Sequence, residues 1–206
     1  MTFHNNIFIK ILNIGILNNE MKLNFVTKNK GKVKEFKVIL KGICDVEQIE
    51  MDYKELRSDN PEDIAKLAAK QLAEKLNKTV IVEDSGLFIK ALKDFPGTSS
   101  SYIHKRIGLK GILKLMENVE DRSAIYKSAV AYCEPGHRPI SFLGAENGRI
   151  SEKIEGPYGF GHDPIFIPEG LDKTYGTIAN VENVKKFRKR AVLKLIDHLK
   201  KSNKLK

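Results

Sequence analysis

The sequence contains few of the residues that build disulfide scaffolds or structural metal sites. Its cysteines are Cys44 and Cys133 in a chain of 206 residues, which excludes a disulfide framework and a structural zinc site made of cysteines alone. This composition favours a reduced, cytoplasmic setting. No internal repeat or low-complexity stretch is present. Hydrophobic residues make up 41% and charged residues 30%, which is typical of a globular domain and not of a disordered or collagen-like chain.

Long hydrophobic runs are also missing. The apolar stretch FIKILNIGIL, at 8–17, spans ten residues and is interrupted by Lys10 and Asn13, whereas a membrane-spanning helix needs about 20 apolar residues. We therefore predict no membrane segment. A clean strand pattern begins after Met21, so residues 1–20 are expected to be a disordered or mis-annotated extension and residues 21–206 the working domain. A short added strand or helix is the alternative for residues 1–20.

Positive charge is concentrated at one end of the chain. The formal net charge is +10, and residues 185–206 contain ten lysines and arginines and one aspartate. The remaining body is therefore nearly neutral, which excludes a uniformly basic DNA coat. Within the basic segment, 185–190 holds five cations in six residues. It is interpreted either as a solvated face or as an RNA-binding patch, although Phe187 is its sole interleaved aromatic residue.

Hydrophobic periodicity predicts strands and helices that alternate early in the chain, with several strands together later. This order favours an α/β fold with a mixed sheet. Strands are predicted at 23–27, 46–51, 79–83, 124–133, 140–143, 148–154 and 165–167, and helices at 31–41, 61–76, 110–117 and from about 182 to 202.

Two polar segments follow predicted strands. The loop from Thr27 to Lys32 leads into a helix, and unpaired backbone N–H groups at a helix N-terminus bind anions. It lacks the Walker A pattern, and a solvated lysine-rich turn is the alternative.

Glu83 and Asp84 close the apolar run TVIVE, where two carboxylates repel each other unless a cation such as Mg²⁺ lies between them. The alternative for this pair is a plain acidic turn. Lys70, in the helix before the strand, could reach the same strand end, and an ordinary surface lysine is the alternative.

A glycine-rich and proline-rich turn, GPYGFGHDP at 156–164, is the third candidate. Its glycines let the backbone approach a ligand closely. Phe160 and His162 offer flat faces for a base, and Asp163 offers an acceptor. A tight loop without a ligand is the alternative. Together the three segments predict a site for a Mg²⁺–nucleoside triphosphate.

From Met21 to about Leu195, the chain resembles the inosine triphosphate pyrophosphatase family, because several of its spaced motifs occur here in the same order. The family pattern T-x-N-x-x-K-x-x-E is present, as are its later acidic residue, its helix lysine and its strand-end block VEDSGL. The segments FPGTSSS and GPYGFGHDPIF correspond to its Pro-Gly loop and its base-pocket block. In this sequence the pattern residues are Thr27, Asn29, Lys32, Glu35, Glu55 and Lys70.

The resemblance implies a two-lobed α/β fold around a long mixed sheet, a deep cleft between the lobes, and a homodimer. It implies Mg²⁺-dependent hydrolysis of deaminated purine nucleoside triphosphates to monophosphate and pyrophosphate. Asp84, Lys32 and Lys70 are assigned to catalysis, and Glu55, Glu83 and Asp84 to the metal. The substrate is assigned to Thr27, Asn29, Lys32, Ser85, Phe160, His162, Asp163 and Arg188.

The sequence departs from the family pattern at two places. Where the family has Ser-His-Arg, this sequence has Lys186-Phe187-Arg188. Where the family's T-[FY]-[AG]-E segment has a glutamate, this sequence has Thr177. Because Ser-His-Arg reads the 6-oxo edge of the purine, we expect weaker base discrimination or a shifted substrate. A nucleotide- or RNA-binding protein on a decayed enzyme scaffold, and a triphosphatase of altered base preference, are the alternatives.

Overall fold

The computed structural model describes residues 22–54 and 56–205, which form a seven-stranded mixed sheet with helices on both faces. The strands are β1 (Lys22–Val26), β2 (Asp45–Ile49), β3 (Val80–Ile89), β4 (Pro96–Gly97), β5 (Ser123–Cys133), β6 (Ile140–Ile150) and β7 (Phe166–Pro168). The helices are α1 (Lys30–Ile39), α2 (Pro61–Leu76), α3 (Ser100–Leu115) and α4 (Phe187–Lys201). The predicted extension, residues 1–20, lies outside the described residues.

Local sequence explains the helix ends. The side chain of Asn29 accepts a hydrogen bond from the backbone N–H of Lys32 and caps α1, and Asn60 caps α2 in the same way, with Pro61 as the first helical residue. In α3 the backbone of Gly108 is non-helical, with φ 63°, and only glycine adopts this region without strain. The first part of α3 therefore takes its own direction.

The sheet changes from parallel to antiparallel at β3. Strand order is β2-β1-β3-β5-β6-β7, with β4 beside β3. β1 is parallel to β2 and to β3, whereas β3, β5, β6 and β7 form antiparallel pairs. β1 pairs with β3 only at the start of β3, where Phe25 faces Ile81, while β5 accompanies β3 over its full length. The loop that follows β1 therefore lies beside the middle of β3.

Apolar side chains fill both faces of the sheet. α1 and α4 cover one face around Phe25, Phe36 and Leu195, and α2 covers the other with small side chains such as Ala69. The residues between 22 and 205 that the structure describes include no helix long and apolar enough to cross a bilayer.

The prediction of an α/β fold with a mixed sheet is confirmed, but several element bounds were wrong. The acidic pair lies within β3 and not at its end, because pairing with β5 continues beyond it to Ile89. The two strands predicted at 140–143 and 148–154 are one strand, β6. α3 begins ten residues before its predicted start, and α4 begins at Phe187 after a short 3-10 turn at Val181–Asn183.

Candidate functional site

A cavity of about 550 Å³ opens where the loop after β1, the middle of β3 and the first turns of α3 and α4 meet. Most residues predicted for catalysis or substrate contribute to its wall. Those residues are Thr27, Asn29, Lys32, Asp84, Ser85, Phe160, His162, Asp163 and Arg188. Tertiary structure thus brings together segments that are more than 150 positions apart in the chain.

The loop after β1 forms one wall with an ordered anion-binding geometry. Thr27 Oγ1 accepts from the backbone N–H of Asn29 at 3.1 Å, and Asn29 Oδ1 accepts from the N–H of Lys32 at 3.1 Å. These bonds fix the start of α1 so that its first turn faces the cavity. A helix N-terminus with a lysine beside it suits a phosphate group.

Lys32 connects α1 to β3. Its Nζ lies 2.9 Å from the carbonyl oxygen of Glu83 and 2.8 Å from Glu83 Oε2. Glu83 Oε1 also accepts from Ser128 Oγ at 2.5 Å and from Arg188 Nε at 3.1 Å. Burial by itself would raise the pKa of Glu83, but the charges of Arg188 and Lys32 lower it to about 2. Glu83 is thus held in the interior by two cations and a hydroxyl group, and its assignment to the metal stays a prediction.

Asp84 lies at the cavity wall and Glu83 does not, because Lys32, Ser128 and Arg188 hold the Glu83 carboxylate in the interior. The other predicted metal ligand, Glu55, lies outside the described residues. Within the ranges 22–54 and 56–205, no group of three or more His, Cys, Asp or Glu side chains could hold a metal ion. Asp84 still fits Mg²⁺, since that ion takes one or two carboxylates and completes its shell with water and phosphate oxygens.

Lys70 is not brought to the cavity. Its Nζ lies 2.6 Å from Glu74 Oε1 and 3.1 Å from the carbonyl oxygen of His137, in the turn after β5. The end of β5 pairs with the first residue of β3, and Asp84 lies four residues further along, about 13 Å at the usual rise per strand residue. α2 therefore carries Lys70 to the turn after β5, away from the cavity, and its assignment to phosphate and catalysis stays a prediction.

Arg188 is buried, with 1% of its surface exposed, and anchors α4 to the sheet. Its Nη1 pairs with Glu35 Oε2, its Nε lies 3.1 Å from Glu83 Oε1, and its Nη2 lies 3.0 Å from Ser85 Oγ. Burial opposes the charged form, but Glu35 and Glu83 raise the pKa of Arg188 above its ordinary value. Each of its three nitrogens has a protein partner, so Arg188 organises the site more than it reaches into it.

Lys185 is a site residue that sequence reasoning missed. Only 2% of it is exposed, yet it lines the cavity. Its Nζ lies 2.7 Å from Glu35 Oε1, 2.6 Å from Asp163 Oδ2 and 4.4 Å from the centre of the Phe160 ring. Burial raises the pKa of Asp163, and Lys185 partly offsets this rise.

The interpretation of 185–190 as one exposed basic surface is wrong for two of its five cations. Lys185 and Arg188 pair with buried carboxylates, whereas Lys186, Lys189 and Arg190 are exposed. Phe187 is buried and stacks on Tyr126 at 4.6 Å between ring centres. The segment could not reveal this alone, because the partner carboxylates come from distant elements.

The glycine-rich turn places an aromatic ring beside the anion loop. A Cβ on Gly31 would lie 2.7 Å from Phe160 Cδ1, so the absence of a side chain there lets the Phe160 ring rest on the first turn of α1. Asp163 Oδ2 accepts from the N–H of Phe160 at 2.7 Å and holds the turn closed. Nearby, His162 is buried against His104. The pKa of His162 is lowered to about 4, mainly because the ring is buried and to a smaller extent because His104 lies beside it.

Further residues line the cavity although the sequence analysis did not single them out as site residues. Lys28 pairs with Asp52 at the mouth of the cavity, and the first turns of α3 supply polar side chains. These unanticipated residues are Met51, Asp52, Tyr53, Thr98, Ser100, Ser101, His104, Lys105 and Tyr126. The Pro-Gly loop before α3 was the only available signal, since it belongs to the pattern FPGTSSS.

Comparison with known proteins gives consistent results. A family model described as the Ham1 family matches residues 23–198. A dITP/XTP pyrophosphatase of Methanopyrus kandleri is 52% identical over 80% of this chain and 88% of its own length, and one of Pyrococcus horikoshii is 42% identical over 87% and 97%. The structure of the Staphylococcus aureus Ham1 protein covers 88% of this chain and 100% of its own, with TM-score 0.76 and 30% identity.

Proposed function

The chain belongs to the Ham1 family, and from this premise we propose that it hydrolyses deaminated purine nucleoside triphosphates to monophosphate and pyrophosphate. The relatives from Methanopyrus kandleri and Pyrococcus horikoshii are named dITP/XTP pyrophosphatases. Substrates of this class are the triphosphates of inosine and xanthine and their deoxy forms. The cavity geometry supports this class through one observation about the base and several about the phosphates.

The observation that carries the proposal is the pairing of Lys185 with Asp163 beside Phe160, with Nζ and Oδ2 2.6 Å apart. An ammonium group donates hydrogen bonds and cannot accept them, whereas an ionised carboxylate accepts and cannot donate. A 6-oxo purine presents an acceptor at O6 and a donor at N1–H, so it matches this polarity. A 6-amino purine presents the reverse arrangement, so neither Lys185 nor Asp163 can form a hydrogen bond to its 6-amino edge.

This pairing changes the expectation drawn from the lost Ser-His residues. Two of the three donors of the Lys185 ammonium are engaged by Glu35 and Asp163, which leaves a third for the base. Phe160 supplies the stacking surface. We therefore propose that discrimination against 6-amino purines is retained, with Lys185 in the role of the missing readers.

The phosphates fit the opposite end of the cavity. Thr27, Asn29 and Lys32 surround the N-terminus of α1, where backbone N–H groups and positive charge favour a triphosphate. Asp84 lies across from them, and we propose that it holds Mg²⁺ together with Glu55. The metal, when bound, would neutralise charge that develops on the phosphate oxygens.

The residues of the chain then have separate tasks in hydrolysis. Water is added across the bond between the α- and β-phosphates, that bond breaks, and pyrophosphate leaves. Asp84 orients the water and takes its proton. Lys32, held in place by Glu83 at 2.8 Å, stabilises the developing charge without having to reorganise.

A triphosphate panel tests the proposal. With Mg²⁺ present, pyrophosphate release should be fastest from inosine, deoxyinosine and xanthine triphosphates and slower from adenosine triphosphate by about 10²-fold or more. Asp84→Asn should abolish turnover with the fold intact by circular dichroism, while Asp197→Asn on the exposed side of α4 should not. No release from any purine triphosphate by the folded protein would reject the proposal.

Assembly and location extend the same proposal. We propose a homodimer, as the resemblance implies, which sedimentation velocity can test. Cys44 and Cys133 are free and buried, which is compatible with the reducing cytoplasm expected from composition.

A further inference from the structure

The start of α4 lacks a cap from its own segment. Lys186 occupies the N-cap position and makes no side-chain capping hydrogen bond, because a lysine ammonium has no acceptor. The first N–H groups of a helix need acceptors, and the cations of 185–190 also oppose the helix dipole. An acceptor must therefore come from elsewhere in the fold.

Glu146 of β6 supplies that acceptor. Its Oε2 lies 2.9 Å from the backbone nitrogen of Lys186 and 3.2 Å from that of Phe187. Only 3% of Glu146 is exposed, so water competes little for these bonds. One carboxylate, 40 residues away in the chain, thus caps the helix and compensates the positive charge at its start.

Gly144 makes this long-range cap possible. It lies two residues before Glu146, on the same face of β6. A Cβ on Gly144 would lie 2.1 Å from the carbonyl oxygen of Phe187 and 2.6 Å from the nitrogen of Ala191. The backbone of α4 therefore rests directly on β6, and the Glu146 side chain reaches the helix end without a gap.

We propose that Glu146 is a positioning residue for base selection, acting through Lys185 and Arg188. Lys185 directly precedes the two capped residues, and Arg188 directly follows them. A shift of the α4 start would move the Lys185 ammonium away from Asp163 and the Phe160 ring. This role rests on the proposed function, because it concerns which base the same cavity accepts.

Two variants of similar size separate capping from packing. Glu146→Gln keeps an oxygen that accepts from both N–H groups, whereas Glu146→Met fills the space without an acceptor. We expect the ratio of kcat/KM for inosine to adenosine triphosphate to fall about tenfold in Glu146→Met and to stay within about threefold of wild type in Glu146→Gln. Asn147→Ala, on the exposed face of β6, is the control and should leave the ratio unchanged.

Two readouts keep the outcome decisive. Amide hydrogen exchange at Lys186 and Phe187, measured by NMR, should accelerate in Glu146→Met and remain slow in Glu146→Gln. The ammonium resonance of Lys185 should shift only in Glu146→Met. An unchanged selectivity ratio in folded Glu146→Met, equal loss in both variants, or slow exchange in Glu146→Met would overturn the proposal. An inactive wild type would instead reject the proposed function, and the amide and ammonium signals would still decide the cap.

Discussion

Replacing Lys185 with methionine should destabilise the protein in a way that depends on pH. Lys185 is buried between Glu35 Oε1 and Asp163 Oδ2, at 2.7 and 2.6 Å. Removing one partner of a buried ion pair costs about 3–5 kcal/mol. Glu35 retains Arg188, and Asp163 retains the N–H of Phe160. We therefore expect the lower end, about 3 kcal/mol at pH 7.

The sign of the pH effect follows from Asp163. Burial already holds its pKa above the ordinary value, and Lys185 limits the rise, so Lys185→Met should raise it further. An acid whose pKa is higher in the folded state than in the unfolded state binds its proton more tightly when folded. Its unfavourable contribution therefore grows as the pH rises. The loss of stability in Lys185→Met should be smaller at pH 5 than at pH 7.

Urea unfolding at both pH values measures this effect. The double variant Lys185→Met/Asp163→Asn should recover part of the loss at pH 7, because the uncompensated carboxylate is gone. Lys189→Met, an exposed neighbour on α4, is the control and should change stability by less than about 0.5 kcal/mol. A loss below about 1 kcal/mol in Lys185→Met, equal at both pH values, would refute the reasoning that this ammonium compensates buried carboxylates.

Three further predictions follow from the same geometry. Gly31→Ala places a Cβ 2.7 Å from Phe160 Cδ1, so KM for inosine triphosphate should rise several-fold as the ring is displaced, and steady-state kinetics would contradict this if KM were unchanged. Lys70→Ala should leave kcat/KM unaltered, since the Lys70 ammonium contacts Glu74 and lies away from the cavity; lost turnover would contradict this and support the assignment made from sequence. His162→Phe should weaken the pH dependence of stability: the pKa of His162 is lowered to about 4, so its contribution is complete above about pH 6.5 and is lost as the pH falls towards 4. Urea unfolding midpoints can be measured for both proteins at pH 7 and pH 4.5. An equal drop of the midpoint between these pH values in wild type and His162→Phe would contradict the prediction.

Local sequence patterns predicted the elements whose ends carry their own signals. The start of α2 carries its own signals, Asn60 as the cap and Pro61 as the first helical residue, and the apolar run TVIVE identified the strand that became β3. The start of α4 could not be predicted, because its cap is Glu146 on another strand. The length of β3 was also missed, since its second half is held by pairing with β5.

The sequence by itself determined the mixed α/β architecture and the main motifs of the cavity, because periodicity, capping residues and spaced glycines act within a few positions of the chain. The fold alone decided which charges meet. It buried Lys185 and Arg188 against Glu35, directed Glu83 inward while Asp84 faces the cavity, and carried Lys70 to the turn after β5. The physical reason is that the partner of a buried charge is set by strand register and helix packing across more than a hundred residues, which local spacing does not encode.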